Sequence, residues 1–161
     1  MKRFALLAAV LTAVLALGAW PASASRVVRT VDGDTFHAVF HGTERTFRLY
    51  CVDAPERKQP YGAEATRALD AMLRYAVNDE VSIRVLRSDR YGRSVARVRR
   101  GRHDIGLDLV AQGLAWDYRS FCKDPAFAAA EDAARAARIG LWADDSPISP
   151  SDWRKGVRPS G

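Results

Sequence analysis

The sequence predicts an α+β domain that is mainly β barrel, with five short strands and three helices. Three observations predict it. Short β-type runs recur five times, around Val27–Val31, Phe36–His41, Thr46–Val52, Val81–Val85 and Val95–Val98, with period-two alternation at Phe36–His41 and Val81–Val85. Short turns of glycine, aspartate or threonine join several of them, as an antiparallel meander requires. One stretch of helical period interrupts the strands after the third, and two more follow the fifth.

Ahead of the strands, Lys2 and Arg3 precede an uncharged apolar run from Phe4 to Trp20, and Ala22-Ser23-Ala24 offers the small residues of a cleavage site. Residues 1–24 are therefore expected to be a secretory signal, residues 25–143 the folded domain and residues 144–161 a flexible tail. A retained membrane anchor is the alternative, because the run approaches the lower limit for a spanning helix. Without residues 1–24 the chain carries 23 basic and 19 acidic side chains, net +4. A basic exported protein suits a polyanion, and the distribution says more than the sum: eight arginines fall within the 19 residues from Arg84 to Arg102.

Between the first and second strands lies the tight turn Val31-Asp32-Gly33-Asp34-Thr35, and Gly42-Thr43 turns the chain into the third. That strand runs to Val52, where Pro55 makes further pairing unfavourable. From Tyr61 to Val77, Ala65, Ala68, Leu69, Met72, Leu73 and Ala76 recur at spacings of three and four, an apolar stripe read as core, and Asn78 and Asp79 end the helix. The turn Asp89-Arg90-Tyr91-Gly92-Arg93 joins the fourth and fifth strands. Asp104 can cap a short helix that Gly113 stops, and Asp124-Pro125 starts a third that Gly140 ends. Three strands, a helix, two strands and two helices are compatible with an OB-type barrel, although spacing alone leaves other small α+β folds open.

Cys51 and Cys122 are the two cysteines. Export to an oxidising compartment would allow one disulfide, and a free buried thiol in the apolar run fits Cys51 equally well. Two cysteines without a matching histidine pair argue against a zinc site, and His37, His41 and His103 show no ligand spacing among themselves.

Chemistry gathers at three places. Asp53 and Glu56 follow the third strand, with Arg48 within it; Asp32 and Asp34 occupy the first turn; Arg90 and Arg93 flank Tyr91 in the third. Carboxylates suit a hard cation, and guanidinium forks suit phosphate oxygens. Taken singly, each has a plainer explanation: Arg48 paired with a carboxylate such as Asp53, Arg93 a solvated turn residue, Glu56 a surface acid beside Arg57 and Lys58.

Together these motifs resemble those of the staphylococcal nuclease family. The resemblance runs from Val27 to Trp142 and rests on Val31-Asp32-Gly33-Asp34-Thr35, Phe47-Arg48-Leu49 leading to Val52-Asp53-Ala54-Pro55-Glu56, Tyr61-Gly62, Asp89-Arg90-Tyr91-Gly92-Arg93, Gln112-Gly113-Leu114-Ala115 and Gly140-Leu141-Trp142 in the same order. It implies an OB-fold five-stranded barrel with three helices. It also implies a calcium-dependent phosphodiesterase that hydrolyses DNA and RNA with little sequence preference and leaves 3′-phosphate ends. Asp34, Asp53 and the Ala54 carbonyl would hold Ca2+, with Asp32 behind them. Arg48 and Arg93 would grip the scissile phosphate, and Glu56 would face the attacking water. Arg90, Tyr91 and Tyr118 would bind the rest of a strand, single-stranded regions being favoured. The register around Tyr118 departs from the family, the loop after Glu56 is short, arginine replaces lysine as the main basic residue, and the cysteines lie outside the family pattern.

The function expected is thus a secreted or periplasmic nuclease, monomeric and without stable membrane association once the signal is cleaved. The alternative is a catalytically silent nucleic-acid-binding OB-fold module. Retention of Asp34, Arg48, Asp53, Glu56 and Arg93 weighs against the silent module.

Overall fold

Val31 donates its backbone N–H to the Thr35 carbonyl at 2.8 Å, and this contact folds the first two strands into a hairpin around Asp32-Gly33-Asp34. The computed structural model describes residues 25–74 and 81–159. The hairpin joins β1 (Arg26–Thr30) to β2 (Thr35–Phe40), which pairs antiparallel with β3 (Thr43–Leu49). Further along the chain, β5 (Val81–Ser88) and β6 (Ser94–Arg100) form the arginine-rich hairpin, preceded by β4 (Val52–Asp53) and α1 (Gly62–Arg74). β3 meets β6 in parallel, giving the order β1-β2-β3-β6-β5, and β7 (His103–Asp104) adds to β6.

The fold is of the expected OB-like α+β kind, with three corrections. The described strands do not close a barrel: β1 and β5 are not paired with each other. β1 is short and partly exposed, the outer half of β5 faces solvent, and α1 packs on β1, where Thr30 donates its hydroxyl to Asp70 at 2.8 Å. The third strand does not run through to Val52. Cys51 has φ 64°, a left-handed conformation that ends β3 and lets β4 start in a new direction, so that β4 pairs antiparallel with β8 (Trp116–Asp117). Finally, α2 (Ile105–Ala111) and α3 (Pro125–Ala136) are joined by a fourth α-helix, α4 (Pro150–Arg154), in the stretch expected to be a flexible tail. Ser149 caps it, accepting from the Asp152 N–H at 3.1 Å, and Pro150 is buried.

Asp104 and Asp124 cap α2 and α3 as their sequence positions predict. The expected end of α1 at Asn78 and Asp79 and the expected signal at residues 1–24 lie outside the described residues. No helix among the described residues is long and apolar enough to cross a membrane.

The core runs between the sheet and the three longer helices. Phe36 and Phe47 stack at 5.3 Å, and Leu49, Val52, Leu69, Ile105, Leu109 and Phe127 are fully or almost fully buried around them. The Cys51–Cys122 disulfide, closing a loop of 71 residues, ties the end of β3 to the segment after β8. Two close approaches then position the loops of interest. A Cβ on Gly33 would stand 2.7 Å from both Ala54 Cβ and Ala65 Cβ, so glycine lets the first turn press onto the chain after β4. A Cβ on Gly62 would stand 2.0 Å from the Glu56 carbonyl, so the start of α1 lies directly against the Glu56 loop.

Candidate active site

Three loops converge on a cleft of about 420 Å³ whose lining includes Asp32, Asp34, Arg48, Glu56, Arg93 and Arg154. Its floor is a chain of ion pairs. Asp34, at the end of the first turn, is held from three sides: Oδ1 accepts from the Thr35 hydroxyl at 2.9 Å, Oδ2 from the Ala54 N–H at 2.9 Å, and Arg48 Nη1 pairs with Oδ2. The other fork of Arg48, Nη2, donates to Asp53 Oδ1 at 3.0 Å. One guanidinium therefore bridges two carboxylates that are 19 residues apart in sequence, which brings together what the sequence placed in separate motifs. Asp53 itself is 4% exposed, and it also borders a neighbouring depression beside Trp116 and Arg119.

The electrostatics follow from burial and these pairs. Burial first, and the Asp34 charge second, push the Asp32 carboxyl up to about 6. Burial acts against the charge on Asp34 too, but the Arg48 guanidinium, the Ala54 N–H and the Thr35 hydroxyl together hold its carboxyl below the ordinary range. For Asp53 burial prevails, and its carboxyl stays above its usual value despite Arg48 and Arg154. Burial would lower the Arg48 value; its carboxylates outweigh that and raise it.

The rim is contributed by the tip of the β5–β6 hairpin. Arg93 lines the cleft while its Nε donates to Asp89 Oδ2 at 2.7 Å. Arg90 lies over the Tyr91 ring, 4.8 Å from its centroid, and donates to the Tyr91 hydroxyl at 2.6 Å. Tyr118 faces Arg48, whose Cζ is 5.9 Å from the ring, and packs on Phe121 at 4.7 Å. All ten residues singled out in the sequence thus border the cleft or its floor.

Two residues of the site escaped the sequence reading. Arg154 reaches in from α4, donating to Glu56 Oε1 at 2.7 Å and Asp53 Oδ2 at 3.2 Å. Buried Gln59 accepts from the Glu56 N–H at 3.1 Å and donates to the Ile148 carbonyl at 2.6 Å, fastening the segment before α4 to the Glu56 loop. The signal for α4 was present, since Ser149-Pro150 has the cap-then-proline form that identified the helix at Pro125.

The matching family model is that of staphylococcal nuclease homologues, and it spans residues 46–144. The chain belongs to the staphylococcal nuclease family. Its relatives include an uncharacterized endonuclease of Haemophilus influenzae, 39% identical over 133 residues, covering 81% of this chain and 72% of the relative. An uncharacterized endonuclease of Escherichia coli is 34% identical over 146 residues, covering 88% and 94%. A staphylococcal-like nuclease of Arabidopsis thaliana is 37% identical over 111 residues, and there the match covers 69% of this chain but 33% of the plant protein. In this staphylococcal nuclease homologue the family match contains Arg48, Asp53, Glu56 and Arg93, whereas Asp32, Asp34 and Arg154 lie beyond its ends.

The donors present fit the hard cation that the family implies. Asp34, Asp53, the Ala54 carbonyl and, behind them, Asp32 are all oxygen donors, the set that calcium prefers. Among the described residues the one group of three ligand-type side chains gathered within 4.8 Å of one another is instead Cys51, Asp117 and Cys122, whose two sulfurs are bonded to each other.

Proposed function

We propose that the chain is an exported, calcium-dependent nuclease that hydrolyses phosphodiester bonds of DNA and RNA with little sequence preference and leaves 3′-phosphate ends. The observation that carries this reading is the bridge from Arg48 to both Asp34 and Asp53 on the floor of a cleft that also holds Glu56 and Arg93. Asp34, Asp53 and the Ala54 carbonyl would hold the cation, with Asp32 supporting it. When bound, it would supply positive charge against the phosphate.

The chain's own residues supply the rest. A phosphodiester resists attack because nucleophile and substrate are both anionic, so charge growing on the phosphoryl oxygens must be offset during in-line displacement. Arg48, fixed by two carboxylates, offers that charge from a preset position, and Arg93 offers it from the rim of the same cleft. Glu56, exposed enough to meet solvent, is the carboxylate placed to take a proton from water. Arg90, Tyr91 and Tyr118 present cationic and aromatic faces to a single strand, a sequence-tolerant mode of binding because every base has a π-face. The bonded cysteine pair fits export to an oxidising compartment.

Digestion of single-stranded DNA by the chain without residues 1–24, with calcium and with chelator, tests the reading. Cleavage is expected only with calcium, and Glu56→Gln and Arg48→Ala should each lose about 10²–10³ in rate or more. Undiminished cutting in chelator would remove the metal from the mechanism. Tight binding of the strand without any cutting would leave the silent module.

A further inference from the structure

We propose that Arg154 is a displaceable internal counter-cation: it clasps Asp53 and Glu56 across the cleft and is exchanged for the divalent ion, so that cation binding releases the C-terminal helix. The proposal rests on the calcium reading above and adds to it a residue that lies beyond the end of the family match.

The argument begins with atoms already engaged. Asp53 Oδ1 accepts from Arg48 at 3.0 Å and Oδ2 from Arg154 at 3.2 Å, while Glu56 Oε1 accepts from Arg154 at 2.7 Å. Both Asp53 oxygens thus lie against a guanidinium group, and a doubly positive ion drawing on either would repel the arginine beside it. The two arginines are not equally able to leave. Arg48 is 11% exposed and sits on β3, paired with Thr35 of β2 on one side and Val95 of β6 on the other. Arg154 is 45% exposed and is carried by a five-residue helix. Its departure breaks two ion pairs and no strand pairing.

The clasp has a second point of attachment. Gln59, 5% exposed, ties the Glu56 N–H to the Ile148 carbonyl, so the Glu56 loop and the approach to α4 are one hydrogen-bonded unit. Arg154 closes that unit over the acids, and its release frees Glu56 Oε1 together with Asp53 Oδ2. A ligand can shift such an equilibrium only by its preference for one state, and competition for Asp53, which both the cation and Arg154 use, provides that preference.

The test is calorimetric titration of calcium into the chain without residues 1–24 and into its Arg154→Gln and Arg154→Lys variants, with hydrogen exchange of residues 148–156 followed alongside. Arg154→Gln should bind calcium about 5- to 10-fold tighter, and Arg154→Lys, which keeps the charge without the fork, should fall between. Calcium should speed exchange in residues 148–156 of the wild type and change it little in Arg154→Gln. Equal calcium affinity in all three proteins, or exchange indifferent to calcium, would overturn the clasp while leaving the calcium reading intact. No calcium binding in any of them would overturn both.

Discussion

The floor and the rim of the cleft carry the same residue types and are built on opposite terms. On the floor, Asp34, Arg48 and Asp53 have side chains 8%, 11% and 6% exposed, and their pairs cross from one loop to another through the sheet. On the rim, Tyr91 is 67% exposed, and Arg90 and Arg93 bond to neighbours within their own turn. The floor therefore couples function to folding, because removing one member strands a buried charge. The rim can be altered without cost to the fold, and what it loses is contact with substrate.

The sharpest way to break this contrast is to delete one arginine from each. Arg48→Ala should lose at least about 10²–10³ in cleavage and also about 3–5 kcal/mol in urea unfolding, since Asp34 and Asp53 are left buried without it. Arg93→Ala should lose cleavage to a similar degree yet stay within about 0.5–1 kcal/mol of the wild type, its partner Asp89 being a turn residue. Equal destabilisation by both would abolish the distinction.

The disulfide sharpens it next. Because Cys51 lies between Arg48 and Asp53, and Cys122 just beyond Tyr118, the bridge belongs to the floor. Its removal in a Cys51→Ser, Cys122→Ser protein should cost about 2–4 kcal/mol in the same unfolding assay, consistent with a long closed loop. Unchanged stability would mean that the floor is held by its ion pairs alone.

A smaller effect concerns pH. The Asp32 carboxyl is raised from 3.8 to about 6, so the stability it contributes is fully present below 3.8 and is lost as pH rises through about 6. In chelator, the melting temperature of Asp32→Asn should accordingly gain on the wild type by roughly 2–4 °C between pH 4 and pH 7. A difference constant with pH would show that Asp32 ionises as freely folded as unfolded. The smallest effect belongs to the rim: Tyr91→Ala should leave stability within about 0.5 kcal/mol and weaken binding of a single-stranded oligonucleotide by about 1 kcal/mol.

Much of this was legible in the chain because it is local. Short β-type runs marked β2, β3, β5 and β6; Asp104 and Asp124 marked their helix starts; and Asp34, Arg48, Asp53, Glu56 and Arg93 stood out as acids and arginines at strand ends and turns. The break at Cys51 was hidden because its left-handed backbone lies inside an apolar run that reads as uninterrupted strand. Arg154 was hidden because nothing within its own segment says where that segment docks.

Residue order by itself determined the main strands β2, β3, β5 and β6 and most helix starts, the concentration of arginines from Arg84 to Arg102, and the acids and bases available for chemistry, since each depends on neighbours within a few positions. Only the folded chain decided that the sheet stays open, that one guanidinium joins Asp34 to Asp53, that Cys51 and Cys122 bond, and that Arg154 closes over the acids. Those outcomes depend on distances between residues up to 101 positions apart in sequence, and such distances exist only once the core has packed.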